Sequence, residues 1–425
     1  MGVSAAGGSA GTTGSAVVVG AGVGGLATAI GLRRAGWEVA VLERRAEPEQ
    51  YGTAFGIHPT AQAALDRLGL GDAVRARAVP YRDADIRRPD GRVLAALPLE
   101  RIERKAGRPE LLISRPYLMD AMLAELMRLG GTEIAYGRAY EPPAARGSTE
   151  RRADAGLPGG AGLPAGAVLP GGAGLLAGAD LPAGAGLPIG AGLPTGAEVP
   201  TGADLPAAEV PTAADLLVGA DGINSAVRVA RFGGGSRPRE LGSTAWIGTA
   251  EFETGVYGET WGRGRFFGMT PVEPGRTNWY ATVPGATTAG ELRAAFADWH
   301  DPIPRVLAET DPRSWIRYRM RHLHPALPSF TRMDGPGPVA LVGDAAHAMT
   351  PNLGQGACTA LLDAEALARA VAAHGPGGLP AALRAYEGER RRSAQRVAFG
   401  SRTLHRFMTV RRPALRDALV GLLPG

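Results

Sequence analysis

Cysteine is almost absent from this chain of 425 residues: Cys358 is the only one, so no internal disulfide framework can form, and a reducing compartment is expected. Lysine is equally scarce. Lys105 is the sole lysine among 46 basic residues, which are set against 41 acidic ones for a net charge of +5. The arginines are scattered, with no stripe or cluster that would track a phosphate backbone, so nucleic acid is not an expected partner. No apolar run is long enough to span a bilayer, and no stable membrane insertion is expected. Residues 1–14 have no basic start and no apolar centre; they read as a disordered tail and not as a secretory signal, which makes the expected location cytoplasmic. The 7 histidines include no pair at metal-ligand spacing, so no metal is expected.

Glycine and proline, at 63 and 34 residues, are abundant instead. Much of both falls in residues 151–213, where from Ala155 a hexad recurs (AGLPGG, AGLPAG, AVLPGG and so on). A left-handed β-helix has this period. Against it stand a proline in nearly every unit, glycines that raise the entropy cost of ordering, and one large apolar group per unit. A flexible low-complexity insertion, dispensable for chemistry, is the simpler reading.

The rest of the chain is organised around Ala16-Val17-Val18-Val19-Gly20-Ala21-Gly22-Val23-Gly24-Gly25-Leu26. A β-branched run reads as a buried parallel strand, and the Gly20-x-Gly22-x-x-Gly25 turn leads into an Ala/Leu/Ile helix that stops at Gly36. Gly20 permits the turn, Gly22 lets backbone approach a pyrophosphate, and Gly25 lets the helix lie close to the strand. The helix start offers N–H groups and partial positive charge to phosphates. The next strand, Val39–Leu42, ends in Glu43, whose carboxylate can accept both hydroxyls of an adenosine ribose. Strand, glycines, helix, strand and acid in this order point to a dinucleotide site.

Further along, Asp85–Arg88 and Val93–Ala95 flank Pro89-Asp90-Gly91-Arg92 and read as a β-hairpin. Ser114, Arg115 and Pro116 open a helix whose buried stripe is Leu118, Met122, Leu126 and Met127. Asp215–Val218 forms a strand entering a tight turn at Asp221-Gly222, and residues 240–330 supply aromatic-rich β segments. Val339–Val342 is another buried strand; it feeds Gly343-Asp344-Ala345-Ala346-His347, a loop with Pro351, and Gly354-Gln355-Gly356 at a helix start. A long charged helix covers roughly 379–408, and the amphipathic stretch 413–423 should pack on the body or on another subunit.

Three fingerprints in order carry a resemblance: Gly20-x-Gly22-x-x-Gly25 with Glu43, Asp221-Gly222 in DLLVGADGINSAVR, and Gly343-Asp344 in LVGDAAHAMTPNLGQGA. Together, with Arg115 and the GRGRFFGMTPV segment in support, the chain resembles the FAD-dependent monooxygenases of the para-hydroxybenzoate hydroxylase family. The resemblance implies an α/β fold. A Rossmann-like FAD-binding domain (15–79, 114–150, 214–239 and 329–378) is interleaved with a mostly-β substrate domain (80–113 and 240–328). C-terminal helices (379–425) follow.

It implies that Glu43 holds the ribose, that Arg44 and Arg115 lie along the adenosine and pyrophosphate, and that Asp344 binds a ribityl or phosphate-linked oxygen. Gly354, Gln355 and Gly356 would present helix N–H groups to the flavin pyrimidine edge, where reduced flavin is anionic. Asp221 and Gly222 are associated in the family with both FAD and the nicotinamide cofactor. FAD would be held non-covalently, with NADH or NADPH as a transient co-substrate. The chemistry implied is insertion of one oxygen atom from O₂, through a flavin C4a-hydroperoxide, into an apolar, aromatic or polycyclic small molecule.

His58, His347 and Pro351 are the catalytic candidates; His347 suits a structural hydrogen-bonding role better, and Cys358 a packing role. Tyr257, Trp261, Phe267 and Trp279 are the candidate substrate contacts. Alternatives on the same scaffold are an epoxidase or a halogenase, the latter with Lys105 as its only available lysine. A non-catalytic flavin-binding or interaction protein is the rival of another kind. A monomer or homodimer is expected.

Overall fold

The computed structural model describes residues 13–48, 54–142 and 214–422; the hexad repeat lies outside them, as do residues 1–12 of the amino-terminal tail. The chain opens with β1 (Ser15–Val19), α1 (Val23–Arg34) and β2 (Glu38–Glu43), as the glycine pattern predicts. Then follow β3 (Ala54–Ile57), α2 (Pro59–Arg67), α3 (Gly71–Arg75), β4 (Val79–Tyr81), the hairpin β5 (Asp85–Arg87) and β6 (Val93–Ala96), and α4 (Leu99–Ala106). Next come β7 (Glu110–Ser114), α5 (Arg115–Leu129), β8 (Thr132–Tyr136), β9 (Leu216–Gly219) and α6 (Ala226–Phe232). The second half holds β10 (Arg237–Ala250), β11 (Gly258–Trp261), β12 (Phe266–Glu273), β13 (Arg276–Val283), α7 (Ala289–Phe296), α8 (Ile303–Glu309) and β14 (Ile316–His324). It ends with β15 (Thr331–Arg332), β16 (Val339–Leu341), α9 (Asp344–His347), α10 (Gly356–His374), α11 (Leu379–Met408) and α12 (Pro413–Val420).

One sheet has the order β15-β16-β9-β1-β2-β8, parallel except at β15. Strands after β1 extend the sheet to both of its sides, so a crevice opens beyond the C-terminal end of β1, where α/β sheets bind ligands. Helices α1 and α10 pack against each other beside this sheet, and its core is almost wholly aliphatic. A second sheet runs β14-β10-β13-β12-β11-β5-β6, with the hairpin joined to β11 in parallel. The third, β3-β7-β4, lies between the two.

The faces of the second sheet follow from strand alternation. Phe267, Met269, Trp279, Ala281 and Trp246 share one face and pack against α7 and α8 through Phe296, Ile303 and Val306. Phe267 stacks on Trp279 with ring centroids 5.6 Å apart, and Phe296 stands edge-on to Phe267 at 5.3 Å. The opposite face carries Glu259, Trp261, Phe266, Asn278, Tyr280 and Tyr318. It looks toward the crevice: Asn278 Oδ1 accepts a hydrogen bond from the Ala54 amide, and the Tyr318 phenol lies within electrostatic reach of Asp344 and Arg115.

Two expectations need correction. Met127 is 69% exposed, because one residue beyond Leu126 the helix has turned about 100° toward solvent; Met119 fills the stripe instead. Residues 80–113 are more than a hairpin: they include α4, which carries Lys105 on its exposed side, and β7 pairs with β3 and β4. Helix α12 does pack on the body. Its buried Arg416 donates to the carbonyl oxygens of Trp261, Gly262 and Met408 and pairs with Asp417, while Leu415 and Leu419 stay exposed.

Candidate active site

The first fingerprint folds as its residue types require. Gly20 has φ 104°, and a Cβ there would stand 2.4 Å from the Ala220 carbonyl oxygen. A Cβ on Gly25 would stand 1.7 Å from the Gly20 carbonyl oxygen, so strand and helix meet backbone to backbone. At Gly22, the N-cap of α1, an added Cβ would meet nothing within 4 Å among the described residues, so its face is open toward the crevice. Glu43 is buried, with Oε2 accepting from the Ala21 amide at 2.8 Å and Oε1 from the Arg45 amide at 2.9 Å. A small pocket beside it is lined by Ala21, Leu26, Arg45, Met119, Leu123 and Tyr136. Arg45 lines this pocket, and the neighbouring Arg44 is exposed.

The second and third fingerprints are joined by a residue the sequence reading passed over. Arg228 on α6 is 1% exposed; Nη2 donates to the Ile223 carbonyl at 2.6 Å and Nη1 to the Ala345 carbonyl at 2.9 Å, tying the Asp221 loop to the Asp344 loop. Burial pushes its guanidinium down, with Asp221 and Asp344 acting the other way. Asp221 faces the α6 start, where Oδ2 accepts from the Ala226 amide at 2.6 Å, while its Oδ1 is buried with no hydrogen-bond partner among the described residues. Gly222 takes φ 77° and turns the chain there.

Asp344 begins α9 after Gly343 at φ 59°. Burial raises its carboxyl above the ordinary value, opposed by His347, Arg115 and Arg228, yet its own surface is exposed, so its tip opens onto the crevice. Behind it His347 is fully buried: Nε2 lies 2.5 Å from Asp363 Oδ2, and Asp363 also accepts from the Gly343 amide at 3.0 Å and from Arg390 at 2.8 Å. Burial pushes Asp363 up, but His347 and Arg390 more than offset it and hold the carboxyl below its usual range. His347 is therefore a support of the loop. Pro351 is exposed in a short turn, and Gly354 (φ 64°), Gln355 and Gly356 lead into α10 at the crevice. Arg115 opens α5, half-buried, after Ser114.

Cys358 is buried and donates to the Gly56 carbonyl at 3.2 Å, and burial lifts its thiol to about 12, so it packs and does not react. His58 sits at the N-cap position of α2, with Nδ1 3.3 Å from Glu110 Oε2 and Nε2 buried with no partner among the described residues. Of the four candidate aromatics, Trp261 is on the crevice-side face of the sheet but is buried there against Phe407, Met408 and Val420. Phe267 and Trp279 are not on that face; they are fully buried in the aromatic layer under α7 and α8. Tyr257 lines a surface cleft of about 430 Å³ between β5, β6 and α4. Tyr280 and Tyr318 occupy the positions that alternation assigns to the crevice, and burial pushes the Tyr318 phenol up to about 12, with Asp344 adding and Arg115 opposing.

An open face at Gly22, a backbone-tight turn at Gly25, a buried acid at the end of β2 and an acid facing the crevice at α9 together fit a flavin dinucleotide. The sequence profile described as "FAD binding domain" matches residues 13–147 and 208–401. The chain belongs to the FAD-dependent monooxygenases of the para-hydroxybenzoate hydroxylase family. It is 31% identical over 400 residues to the aurachin C monooxygenase/isomerase of Stigmatella aurantiaca, covering 91% of this chain and 87% of that protein. It is 27% identical over 394 residues to the FAD-dependent urate hydroxylase of Klebsiella pneumoniae, covering 88% and 85%. The solved HpxO protein of Klebsiella pneumoniae, complexed with FAD and uric acid, superposes with a TM-score of 0.71 at 23% identity, covering 96% of this chain and 92% of that one, a likeness of fold. Among the described residues no helix is long and apolar enough to cross a membrane.

Proposed function

We propose that this member of the family oxidises NADH or NADPH and inserts one oxygen atom of O₂ into an apolar, aromatic or polycyclic small molecule. The observation that carries the reading is the juxtaposition of Asp344, Tyr318 and the α10 start with the site-facing side of the second sheet. FAD, when bound, supplies the electron transfer and the oxygen activation. Glu43 would take the adenosine ribose, with Gly20, Gly22 and Gly25 leaving room for the pyrophosphate and Arg115 beside it. Asp344 would take a ribityl or phosphate-linked oxygen, and the Gly354–Gly356 turn would offer amides to the flavin edge, where a helix start favours negative charge. Asp221-Gly222 and Arg228 hold that frame together. The packed aromatic layer stiffens the far side of the sheet, and the near side walls the substrate off from water. The relatives' printed activities, an aurachin C monooxygenase/isomerase and a urate hydroxylase, share only the oxygenation of a small molecule, which is as far as they support the substrate class.

The purified chain should come out yellow, consume NADH or NADPH faster when an aromatic acceptor is present, and give a product heavier by one oxygen atom. A colourless protein that takes up no added FAD overturns the reading. Removing residues 155–202 is expected to leave this substrate-dependent oxidation within about twofold of the full chain, since the family match stops at 147 and resumes at 208. Loss of turnover with FAD still bound would give the repeat the larger part in function.

A further inference from the structure

On the crevice side of the second sheet, Glu259, Gly268 and Tyr280 form one row across β11, β12 and β13. Gly268 has no side chain, and a Cβ there would stand 2.2 Å from the Tyr280 ring. The ring therefore lies across Gly268, and the Tyr280 hydroxyl donates to Glu259 Oε1 at 3.0 Å. On the other side the Trp261 indole N–H donates to Glu259 Oε2 at 2.7 Å. Three residues thus cooperate to hold one carboxyl group in place.

That carboxyl has no ion-pair partner among the described residues. Arg416 lies over the Trp261 ring at 5.8 Å, but its guanidinium is engaged by backbone carbonyls and Asp417. Burial pushes both Glu259 and Tyr280 up, yet each keeps some accessible surface, with Tyr280 packed at the edge of the cluster formed by Trp261, Phe266, Met408 and Val420. Across from them stands Glu110, seated against Gly56 close to Cys358 on α10, and Tyr81 lies within electrostatic reach of both acids. The groups within electrostatic reach are thus the Tyr81 phenol and Glu110, the latter paired with His58, while Phe266 and Trp261 are buried beside Met408 and Val420. A carboxylate has about four lone-pair positions, of which two are used here. A buried polar group that is kept without a cation disfavours an anionic neighbour and favours a hydrogen-bond donor.

We propose that Glu259, braced by Tyr280 and Trp261, determines substrate specificity: it accepts a hydrogen bond from a ring-borne O–H or N–H, so the pocket takes neutral aromatic or polycyclic molecules carrying such a donor and rejects ring carboxylates. This rests on the oxygenase reading of the same site. Binding is read on the oxidised FAD-loaded full chain, from the perturbation of flavin absorbance, with 2-naphthol, 2-methoxynaphthalene and 2-naphthoate as probes. 2-Naphthol is expected to bind at least about tenfold more tightly than either of the others, the discrimination a site built around a buried acceptor gives. Glu259→Gln should reduce that preference and Glu259→Leu should abolish it. Equal binding of the three, tighter binding of 2-naphthoate, binding of none, or an undiminished preference in Glu259→Leu each overturns the proposal. If a variant fails to retain FAD, the comparison of the three probes on the unaltered chain decides. A colourless chain, by contrast, would overturn the oxygenase reading itself, whereas a yellow chain without the preference overturns only the role of Glu259.

Discussion

Replacing Gly25 with alanine is expected to leave a chain that neither retains FAD nor reaches its full thermal stability. The added methyl would stand 1.7 Å from the Gly20 carbonyl oxygen, well inside any contact distance. The obstacle is backbone, and it cannot yield: the Gly20 amide donates to the Leu42 carbonyl at 2.7 Å, and Gly20 itself leans on the Ala220 carbonyl. β1 is pinned between β2 and β9, so relief must come from shifting α1 away from the sheet. Overpacking a core with flexible neighbours costs about 1–3 kcal/mol, and a backbone obstacle places this change at or above the top of that range. The shift also moves the α1 start, where the pyrophosphate would rest. Gly22→Ala is the matching control. Its methyl has open space within the protein, so the melting temperature should hold while FAD affinity falls. Thermal unfolding together with the flavin-to-protein absorbance ratio separates the two variants; a stable, yellow Gly25→Ala protein would contradict the assignment.

The contrast between those glycines also shows what the chain reveals when read alone. β1, its glycine turn, α1 and Glu43 lie within thirty residues of one another, and each local preference agrees with the rest, so the order is legible without a partner. The hairpin at Pro89–Arg92 and the start of α5 at Ser114 are legible for the same reason. The choice of sheet face was not. Alternation says that Phe267 and Phe266, or Trp279 and Tyr280, face opposite ways, but which side is covered depends on α7 and α8, elements that come after β13 in the chain. Size and apolarity suit Phe267 and Trp279 to a substrate wall and to a core alike, and here they fill the aromatic layer beneath α7 and α8. Arg228 escaped notice because its partner carbonyl on Ala345 is 117 residues away. Asp363 escaped because an acid inside an Ala/Leu helix reads as a solvent-facing residue until His347 and Arg390 are seen to close on it.

Asp344→Ala is expected to weaken FAD retention by about tenfold to a hundredfold, the worth of a hydrogen bond to a charged group, without loosening the fold. Among the described residues its carboxyl accepts no hydrogen bond, its surface is exposed, and the pull of His347, Arg115 and Arg228 does not overcome the burial that raises its pKa, so the fold gains little from it locally. Removing it should leave the melting temperature of the flavin-free protein unchanged or slightly higher. Asp344→Asn keeps an acceptor oxygen and the side-chain shape, and should retain FAD to an intermediate extent. Asp363→Asn should behave in the opposite sense. Asp363 stays below its ordinary range because His347 and Arg390 meet it, and a neutral amide in its place leaves a buried cation without its counter-charge. That variant should lose stability first and FAD in consequence. Dialysis followed by flavin quantification, run beside thermal unfolding of the same samples, distinguishes a group that serves the cofactor from one that serves the loop. An Asp344→Ala protein that stays fully yellow through dialysis would remove Asp344 from the proposed site.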